Sequence, residues 1–249
     1  MNNEDYNVSD FTELEYENLL KIAKRKYSFE GFGNSSVEKH VIWRHDVDYS
    51  MQRALKLAQI EHKEEVKATY YILLRSEFYN IFEEDIKNCI KNIIGLGHEI
   101  GLHFDISHYL DKIGTENLLT FLSYEAEILE KEFLITINSF SFHNTSQLTK
   151  SFTNDHYGRF LNVYSKTIME KYQYCSDSTG FWVYERLNNV LQRNDIDFLQ
   201  ILTHPVWWVP EPMLPRERIL RAINGRAENA INMYDDLLLS LGRVNAGKI

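Results

Sequence analysis

Four segments of the sequence place histidine or aspartate directly after apolar, β-branched residues. They are HVIWRHDVD (40–48), HEIGLHFD (98–105), INSFSFH (137–143) and DFLQILTHP (197–205). Imidazole nitrogens and carboxylate oxygens are ligands of divalent metals such as Zn²⁺, and the same groups transfer protons during hydrolysis. A catalytic zinc site typically uses three protein ligands and leaves one position for water. The four segments therefore indicate a metal-dependent hydrolase.

The two aspartates of the DVD stretch are the first candidates. Asp46 and Asp48 are two residues apart, so an extended strand points both side chains to one side. Two carboxylates on one face are costly unless they are paired or bind a metal. We expect a metal-binding or catalytic role, and the alternative is structural pairing with Arg44 or Arg75.

The histidines differ in their positions along the predicted strands. His103 lies in an otherwise apolar strand and is expected to be a ligand, with a hydrogen-bonded core histidine as the alternative. His143 and His204 end their strands and are expected in the site. His108 lies in the following loop and is a weaker ligand candidate. His98 begins its strand, at the opposite end from the site, and is expected to be structural.

Other polar residues receive lesser roles. Asp105 could orient a ligand histidine from behind, as carboxylates often do in metal sites. His40, His62 and His156 have surroundings typical of the surface and are expected to be solvated.

The elements that position these residues alternate between strand and helix. Predicted strands are 40–48, 67–74, 98–105, 137–143 and 197–205, and predicted helices are 11–26, 51–66 with Ser50 as N-cap, 84–97, 115–133 with Thr115 as cap, 185–194 and 217–242, the last as one helix or two; 157–176 is ambiguous. This alternation predicts a mainly parallel sheet, open or closed into a barrel. The carboxyl ends of parallel strands converge on one crevice, so the polar strand ends should meet there.

Composition excludes some classes of function. The chain has 249 residues, with 36 acidic and 27 basic residues and a net charge of −9. A general nucleic-acid binder would need a basic face, so this class is disfavoured. No segment approaches the roughly 18 consecutive apolar residues expected of a membrane span. We expect one domain over 1–249, with a core at roughly 40–208 and a helical extension at 215–249. The helices after Pro215 are expected either to cover the barrel or to form a dimer contact, so an oligomer is one of the two alternatives.

Cysteine usage and the N-terminal sequence bear on location. Cys89 and Cys175 belong to no CxxC motif, and residues 1–20 show neither a basic nor an apolar segment of a secretory signal. We therefore expect a reduced, cytoplasmic setting.

The motifs RHDVD, GHEIGLH, SFH, YCSDS and LTHPVWW, in this order, resemble the NodB-type polysaccharide deacetylases, carbohydrate esterase family four. The resemblance covers roughly 40–208 and is nearest to the WbmS-like branch, which is linked to bacterial surface polysaccharide synthesis. It implies a distorted (β/α) barrel, here with added terminal helices, that binds one divalent metal, most often zinc.

The resemblance also implies roles for individual residues. Asp46 corresponds to the catalytic base, Asp48 and His103 to metal ligands, His204 to the general acid, and Asp177 to a supporting aspartate.

Two departures from the family pattern concern the ligands and the substrate contacts. The family's second metal histidine lies four residues after the first, where this chain has Ser107, with His108 one place later. We expect His143 to be the third ligand instead, with His108 as the alternative. The family's arginine motif on the strand 137–143 is also missing.

These observations predict a hydrolase that removes an acetyl group from an N-acetylated sugar or glycan precursor. Trp43, Trp182, Trp207 and Trp208 lie in or near the motifs and suit sugar stacking, although core packing explains them equally well. The alternatives are hydrolysis of a non-sugar amide and a non-catalytic carbohydrate-binding barrel that has lost the metal.

Overall fold

The computed structural model describes residues 7–33, 37–111 and 117–247. Its strands are β1 (Ser28–Phe29), β2 (His40–Val47), β3 (Thr69–Leu73), β4 (Glu99–Phe104), β5 (Ser139–Phe142), β6 (His156–Tyr157), β7 (Phe160–Asn162), β8 (Gln173–Ser176) and β9 (Phe198–Thr203). Its α-helices are α1 (Glu13–Lys24), α2 (Met51–Lys63), α3 (Glu84–Gly95), α4 (Leu118–Phe133), α5 (Lys166–Lys171), α6 (Leu187–Gln192) and α7 (Pro215–Ser240).

The strands form one mainly parallel sheet. Its order is β6-β7-β5-β4-β3-β2-β9-β8, and β1 pairs with the start of β2. Every pair is parallel except β6 with β7. All eight residues of the central strand β2 are buried, as expected for a parallel strand covered on both faces.

The sheet is strongly curled. β2 and β5 are separated by β4 and β3, which in a flat sheet would place them about 14 Å apart. Yet the Ser141 hydroxyl on β5 donates a hydrogen bond of 2.9 Å to Asp46 Oδ2 on β2. The side chains of the concave face therefore meet at the centre of a half-barrel, which confirms the expected α/β distorted-barrel fold.

Helices cover the convex face. In α2 the buried residues Met51, Ala54, Leu57 and Ala58 recur at helical spacing and pack into the main core. Each fully buried aliphatic side chain contributes about 1.5–3 kcal/mol. Ser50 caps the helix by accepting a hydrogen bond from the Arg53 amide, as predicted.

A buried polar network ties β2 to α2 behind the sheet. The fully buried Glu61 carboxylate contacts His45 Nε2 at 2.6 Å and accepts a hydrogen bond of 2.6 Å from the Tyr70 hydroxyl. His98 lies beside this network, and its Nε2 donates to the Ala58 carbonyl. His45 and His98 therefore face the helices and not the concave side.

One prediction about histidines was wrong. His40 was expected to be solvated, but it is fully buried. Its ring nitrogens contact the Glu38 carbonyl and the Tyr172 hydroxyl, both at 2.7 Å. The bulky tyrosine from the end of α5 covers it, and nothing in the local sequence around His40 indicates this long-range contact.

Most predicted elements are present with bounds shifted by one to three residues. The segment 217–242 forms one helix, α7, and the ambiguous region 157–176 divides into short strands and the helix α5. Thr115, the expected cap of α4, lies outside the described residues. No described helix is long and apolar enough to span a membrane.

Gly101 supports the curl of the sheet. The Tyr71 ring on β3 lies against Gly101 on β4, and its hydroxyl lies 2.8 Å from Ser139 Oγ on β5. A Cβ atom at Gly101 would overlap this ring. The absence of a side chain at 101 thus lets Tyr71 reach across one strand to the next.

We predict that Gly101→Ala lowers the free energy of unfolding by about 1–3 kcal/mol, because the buried Tyr71 ring must shift. Gly95→Ala is the matched control, since a Cβ there, at the end of α3, meets open space. Urea denaturation of both variants would measure the difference. Equal stability of the two variants would contradict the proposed role of Gly101.

Candidate metal centre

Three side chains meet at the carboxyl ends of the strands β2, β4 and β5 on the concave face. Asp48 follows β2, His103 lies on β4 and His143 follows β5. Asp48 Oδ1 lies 3.0 Å from His103 Nε2 and 3.4 Å from His143 Nδ1, and the two ring nitrogens are 3.1 Å apart. The structure therefore brings together one carboxylate oxygen and two imidazole nitrogens.

The backbone fixes the tautomer of His103. Its Nδ1 lies 3.1 Å from the Ser141 carbonyl oxygen, which can only accept a hydrogen bond. Nδ1 must therefore carry a proton, and in the neutral ring the Nε2 lone pair points toward Asp48 and His143. Metal-binding histidines are commonly oriented in this way.

The three atoms fit one divalent ion. Ligands bound at about 2.0–2.2 Å are about 3.3–3.6 Å apart in a tetrahedral arrangement and about 2.8–3.1 Å apart in an octahedral one. The observed separations of 3.0, 3.1 and 3.4 Å lie in this range. In addition, Asp48 Oδ1 is buried and accepts no hydrogen bond of suitable geometry from any described residue. An oxygen in this situation is a ready metal ligand, and the donor set suits zinc.

The electrostatics of the cluster demand positive charge. Burial opposes ionisation of Asp48, but the close imidazoles of His103 and His143 outweigh it and hold the pKa of its carboxyl well below the usual range. Burial likewise disfavours a charged His143, but Asp48 outweighs it and raises the pKa of that imidazole. The positive charge that satisfies this arrangement is either protons on the rings or an ion held among them.

Asp46 lies beside the cluster but has different partners. Its Oδ1 accepts a hydrogen bond of 3.1 Å from Arg44 Nη1, and its Oδ2 accepts one from Ser141 Oγ. Arg44 Nη1 also donates to Ser141 Oγ at 2.7 Å. Burial alone would lower the pKa of Arg44, but the Asp46 carboxylate outweighs it and keeps that pKa above the usual range. Asp46 is thus a fixed carboxylate that is restrained by a permanent cation.

His204, which follows β9, is held in place by Asp177. His204 Nδ1 lies 2.6 Å from Asp177 Oδ1, and the buried carboxylate also accepts hydrogen bonds from the His204 amide and from Trp208 Nε1. Burial alone would lower the pKa of His204, but Asp177 outweighs it and raises the pKa to about 9. Nε2 remains exposed to the site, 3.9 Å from Asp48 Oδ2.

A cavity of about 310 Å³ opens over these groups. It is lined by Asp46, Asp48, Tyr49, His103, Phe142, His143, Asn144, Thr145, Tyr164, Ser178, Thr179, Leu202, His204 and Trp207. The buried Nε1 of Trp207 has no hydrogen-bond partner among the described residues. All four tryptophans belong to the hydrophobic core, and of the four Trp207 alone also lines this cavity.

Two candidates lie outside the cluster. His108 is 43% exposed in the short helix after β4, and its Nε2 is 3.5 Å from Asp105. Asp105 caps that helix by accepting a hydrogen bond from the Ser107 amide, and it does not hydrogen-bond a ligand histidine. The orienting role suggested for Asp105 is filled by the Ser141 carbonyl. Arg75 pairs with Glu125 and not with the DVD aspartates.

Sequence reasoning missed the importance of Ser141 and placed Arg44 only as an alternative partner. Ser141 lies in SFSFH two residues before His143, so the period of two along a strand puts both on one face. The same period puts Arg44 on the face of Asp46 and Asp48. The spacing therefore places both residues on the face of the site, but serine is too common in strands for its position alone to predict a functional role.

No protein-family model matches this chain, and no curated protein matches it. Several solved structures match at low identity. A family 4 carbohydrate esterase from Bacillus anthracis is 14% identical, with 86% of each chain covered and a TM-score of 0.46. A family 4 acetyl xylan esterase from Clostridium thermocellum, solved in complex with a cobalt ion, is 17% identical, with 76% of this chain and 84% of that chain covered and a TM-score of 0.45.

A third match is BA3943, described as a CE4 family pseudoenzyme from Bacillus anthracis. It is 12% identical, with a TM-score of 0.45 and 78% of this chain covered. The present chain spans less than two thirds of that structure, 62% for the wild type and 64% for a mutant with restored activity. With TM-scores below 0.5, these likenesses carry no argument about chemistry, which rests on the geometry of the site.

We predict that the purified protein binds about one equivalent of a divalent metal, with zinc preferred, because the three ligand atoms are spaced for one ion. Asp48→Ala, His103→Ala and His143→Ala should each lose it, as measured by elemental analysis after dialysis against zinc. His108→Ala is the control and should retain the metal. Loss in His108→Ala together with retention in His143→Ala would assign the third ligand to His108.

Proposed function

We propose that this chain is a metal-dependent hydrolase that removes an acetyl (or another acyl) group from an acetylated sugar or glycan precursor. The observation that carries the proposal is the convergence of Asp48, His103 and His143 at ligand spacing, flanked by a restrained carboxylate and an Asp-held histidine. Such a set provides a metal site, a proton acceptor and a proton donor around one cavity.

A divalent ion held by the three ligands would polarise an acyl carbonyl and make a water molecule more acidic. Asp46 lines the same cavity and is the group placed to accept the proton of that water. Arg44 and Ser141 hold its two oxygens in fixed directions. Asp46 therefore needs no reorientation to act as a general base.

His204 is the group placed to donate a proton to the leaving amine or hydroxyl. The contact with Asp177 keeps the proton on Nδ1 and supports a second proton on Nε2, which faces the cavity. A raised pKa of about 9 keeps the ring protonated at neutral pH. In this proposal Asp46 accepts a proton from water and His204 donates a proton to the leaving group, so the two proton transfers use different residues.

The cavity supports a small polar substrate with an apolar face. Its volume of about 310 Å³ is at the low end for ligand pockets, which suits one sugar unit better than a large flat ligand. Tyr49, Tyr164 and Trp207 offer aromatic surface. The motif resemblance to polysaccharide deacetylases favours an acetylated sugar over another amide. A role in surface polysaccharide synthesis, the WbmS-like branch and a cytoplasmic location remain predictions.

The catalytic roles can be tested separately from metal binding. We predict that Asp46→Asn and His204→Gln each lower kcat for release of acetate from N-acetylated sugars by about 10²–10⁴-fold, because each removes a proton-transfer group. Both should retain the metal, because neither residue is among the three ligands. The measurement is acetate release by the metal-loaded enzyme over a panel of N-acetyl sugars, their oligomers and nucleotide-linked forms.

The outcome distinguishes the alternatives. Activity on simple amides but on no acetylated sugar would point to the non-sugar hydrolase. A metal-loaded wild type that binds sugars without releasing acetate would indicate a carbohydrate-binding protein and would contradict the proposed enzymatic activity.

We also predict that Ser141→Ala lowers kcat about tenfold, because it removes one hydrogen bond to the charged Asp46 carboxylate. Metal content should be unchanged, because the Ser141 carbonyl that orients His103 is backbone. Ser139→Ala is the matched control, since this serine lies on the same strand, faces the same side and contacts the Tyr71 hydroxyl. Steady-state kinetics of both variants would decide, and an equal loss in the control would mean a general packing effect.

A further inference from the structure

The helix α7 carries an apolar stripe that the described part of the chain leaves uncovered. Seven apolar positions, six in α7 and the seventh at its C-cap, recur at alternating intervals of three and four residues: Leu220, Ile223, Ala227, Ala230, Tyr234, Leu237 and Leu241. Leu220, Ile223, Tyr234, Leu237 and Leu241 are 41–57% exposed, and both alanines are exposed. We call these seven residues the α7 seam. This spacing is the pattern of a helix that packs against another helix along its length.

The α7 seam lies on a different face from the contacts between α7 and the rest of the protein. Arg218 hydrogen-bonds the Val8 carbonyl, Ala222 packs on the core, Arg226 pairs with Glu83, and Asn229 donates to Asp85. At 100° per residue, this contacting face and the seam are about 110° apart around the helix axis. Ile219, which also packs against the core, lies at the border between the two faces, so a second helix would dock on the seam beside it.

The charge of α7 is divided between its two halves. Residues 215–228 contain four arginines and two glutamates, whereas 229–241 contain two aspartates and no basic residue. Arg218 is buried and Arg226 pairs with Glu83, so the charges left in the N-terminal half sum to zero (Arg216, Arg221, Glu217, Glu228), whereas the C-terminal half is net −2. A parallel pair would place the two acidic halves side by side, whereas an antiparallel pair places each acidic half against a half without net charge.

The side-chain sizes of the seam are also matched in an antiparallel pair. With a two-fold axis between 228 and 229, Ala227 of one chain faces Ala230 of the other, Ile223 faces Tyr234, and Leu220 faces Leu237. Small residues meet at the centre, where the helices cross closely, and large residues meet on either side. One helix therefore complements itself in shape, which is what a symmetric interface requires, and the antiparallel arrangement keeps the acidic halves apart.

We propose that α7 mediates an antiparallel, two-fold symmetric dimer of this chain. The occupant of the seam is the seam of a second copy. The helix is 26 residues long, or about 39 Å, so the seam extends over most of its length. Burial of the exposed leucines, isoleucine and tyrosine provides the main stabilisation, and repulsion between the two acidic halves disfavours the parallel orientation.

The first test is the mass of the full chain by sedimentation velocity over a range of concentrations. We expect a species of twice the 29.5 kDa chain mass that dissociates on dilution. Leu237→Glu should give only the single-chain mass, because it buries a charge in the seam. Leu239→Glu is the matched control: Leu239 is 79% exposed on the opposite side of the same helix, so this variant should remain a dimer.

The second test is orientation. Cysteines placed by Leu220→Cys and by Leu237→Cys should be cross-linked by a short bismaleimide only when the two variants are mixed, since 220 faces 237 across the pair. The native Cys89 and Cys175 are buried and serve as the background control. Circular dichroism verifies that each variant is folded. A single-chain mass at all concentrations, a dimer that survives Leu237→Glu, or cross-linking within each variant alone would overturn the proposal.

Discussion

The buried guanidinium of Arg44 is the interaction on which the concave face depends. A fully buried arginine is tolerated only with close partners, and Arg44 has Asp46 and Ser141 on Nη1 and the Tyr164 ring 4.7 Å from its Cζ. These partners come from β2, from β5 and from the segment after β7. The cation therefore links strands that would be far apart in a flat sheet and favours the curl that brings their polar ends together.

The period of two along a strand distributes the chemistry of β2. His45 and Val47 point to the helices, where His45 contacts the buried Glu61. Arg44, Asp46 and then Asp48 point to the concave face, so one strand delivers a cation, a restrained carboxylate and a ligand at successive levels. A shift of register by one residue would turn Arg44 and Asp46 toward the helices and His45 toward the concave face. The contacts on the two faces of β2 therefore fix its register.

The sequence was sufficient to predict the strand–helix alternation and the polar strand ends, because both are local patterns. It favoured His143 over His108 for a reason that the structure illustrates: His143 keeps the inward alternation of Ser141, whereas the short helix after β4 turns His108 outward. The sequence was not sufficient for His40, whose cover is Tyr172, more than a hundred residues away. It was also insufficient for the partner of each aspartate, because Ser141 reaches Asp46 only when the sheet curls.

The environments of Asp46 and Asp48 are what make the proposed division of labour physically reasonable. Both are acidic and both face the same cavity; Asp46 is buried, and the side chain of Asp48 is 12% exposed. Asp46 has a permanent cation and a hydroxyl, so its charge is balanced whether or not an ion is near. Asp48 has imidazole nitrogens, one of which presents a lone pair in its neutral form, so its charge is balanced only by a further positive charge. The two aspartates are two positions apart on one strand, yet Asp46 is held by its partners and Asp48 is free to bind a metal.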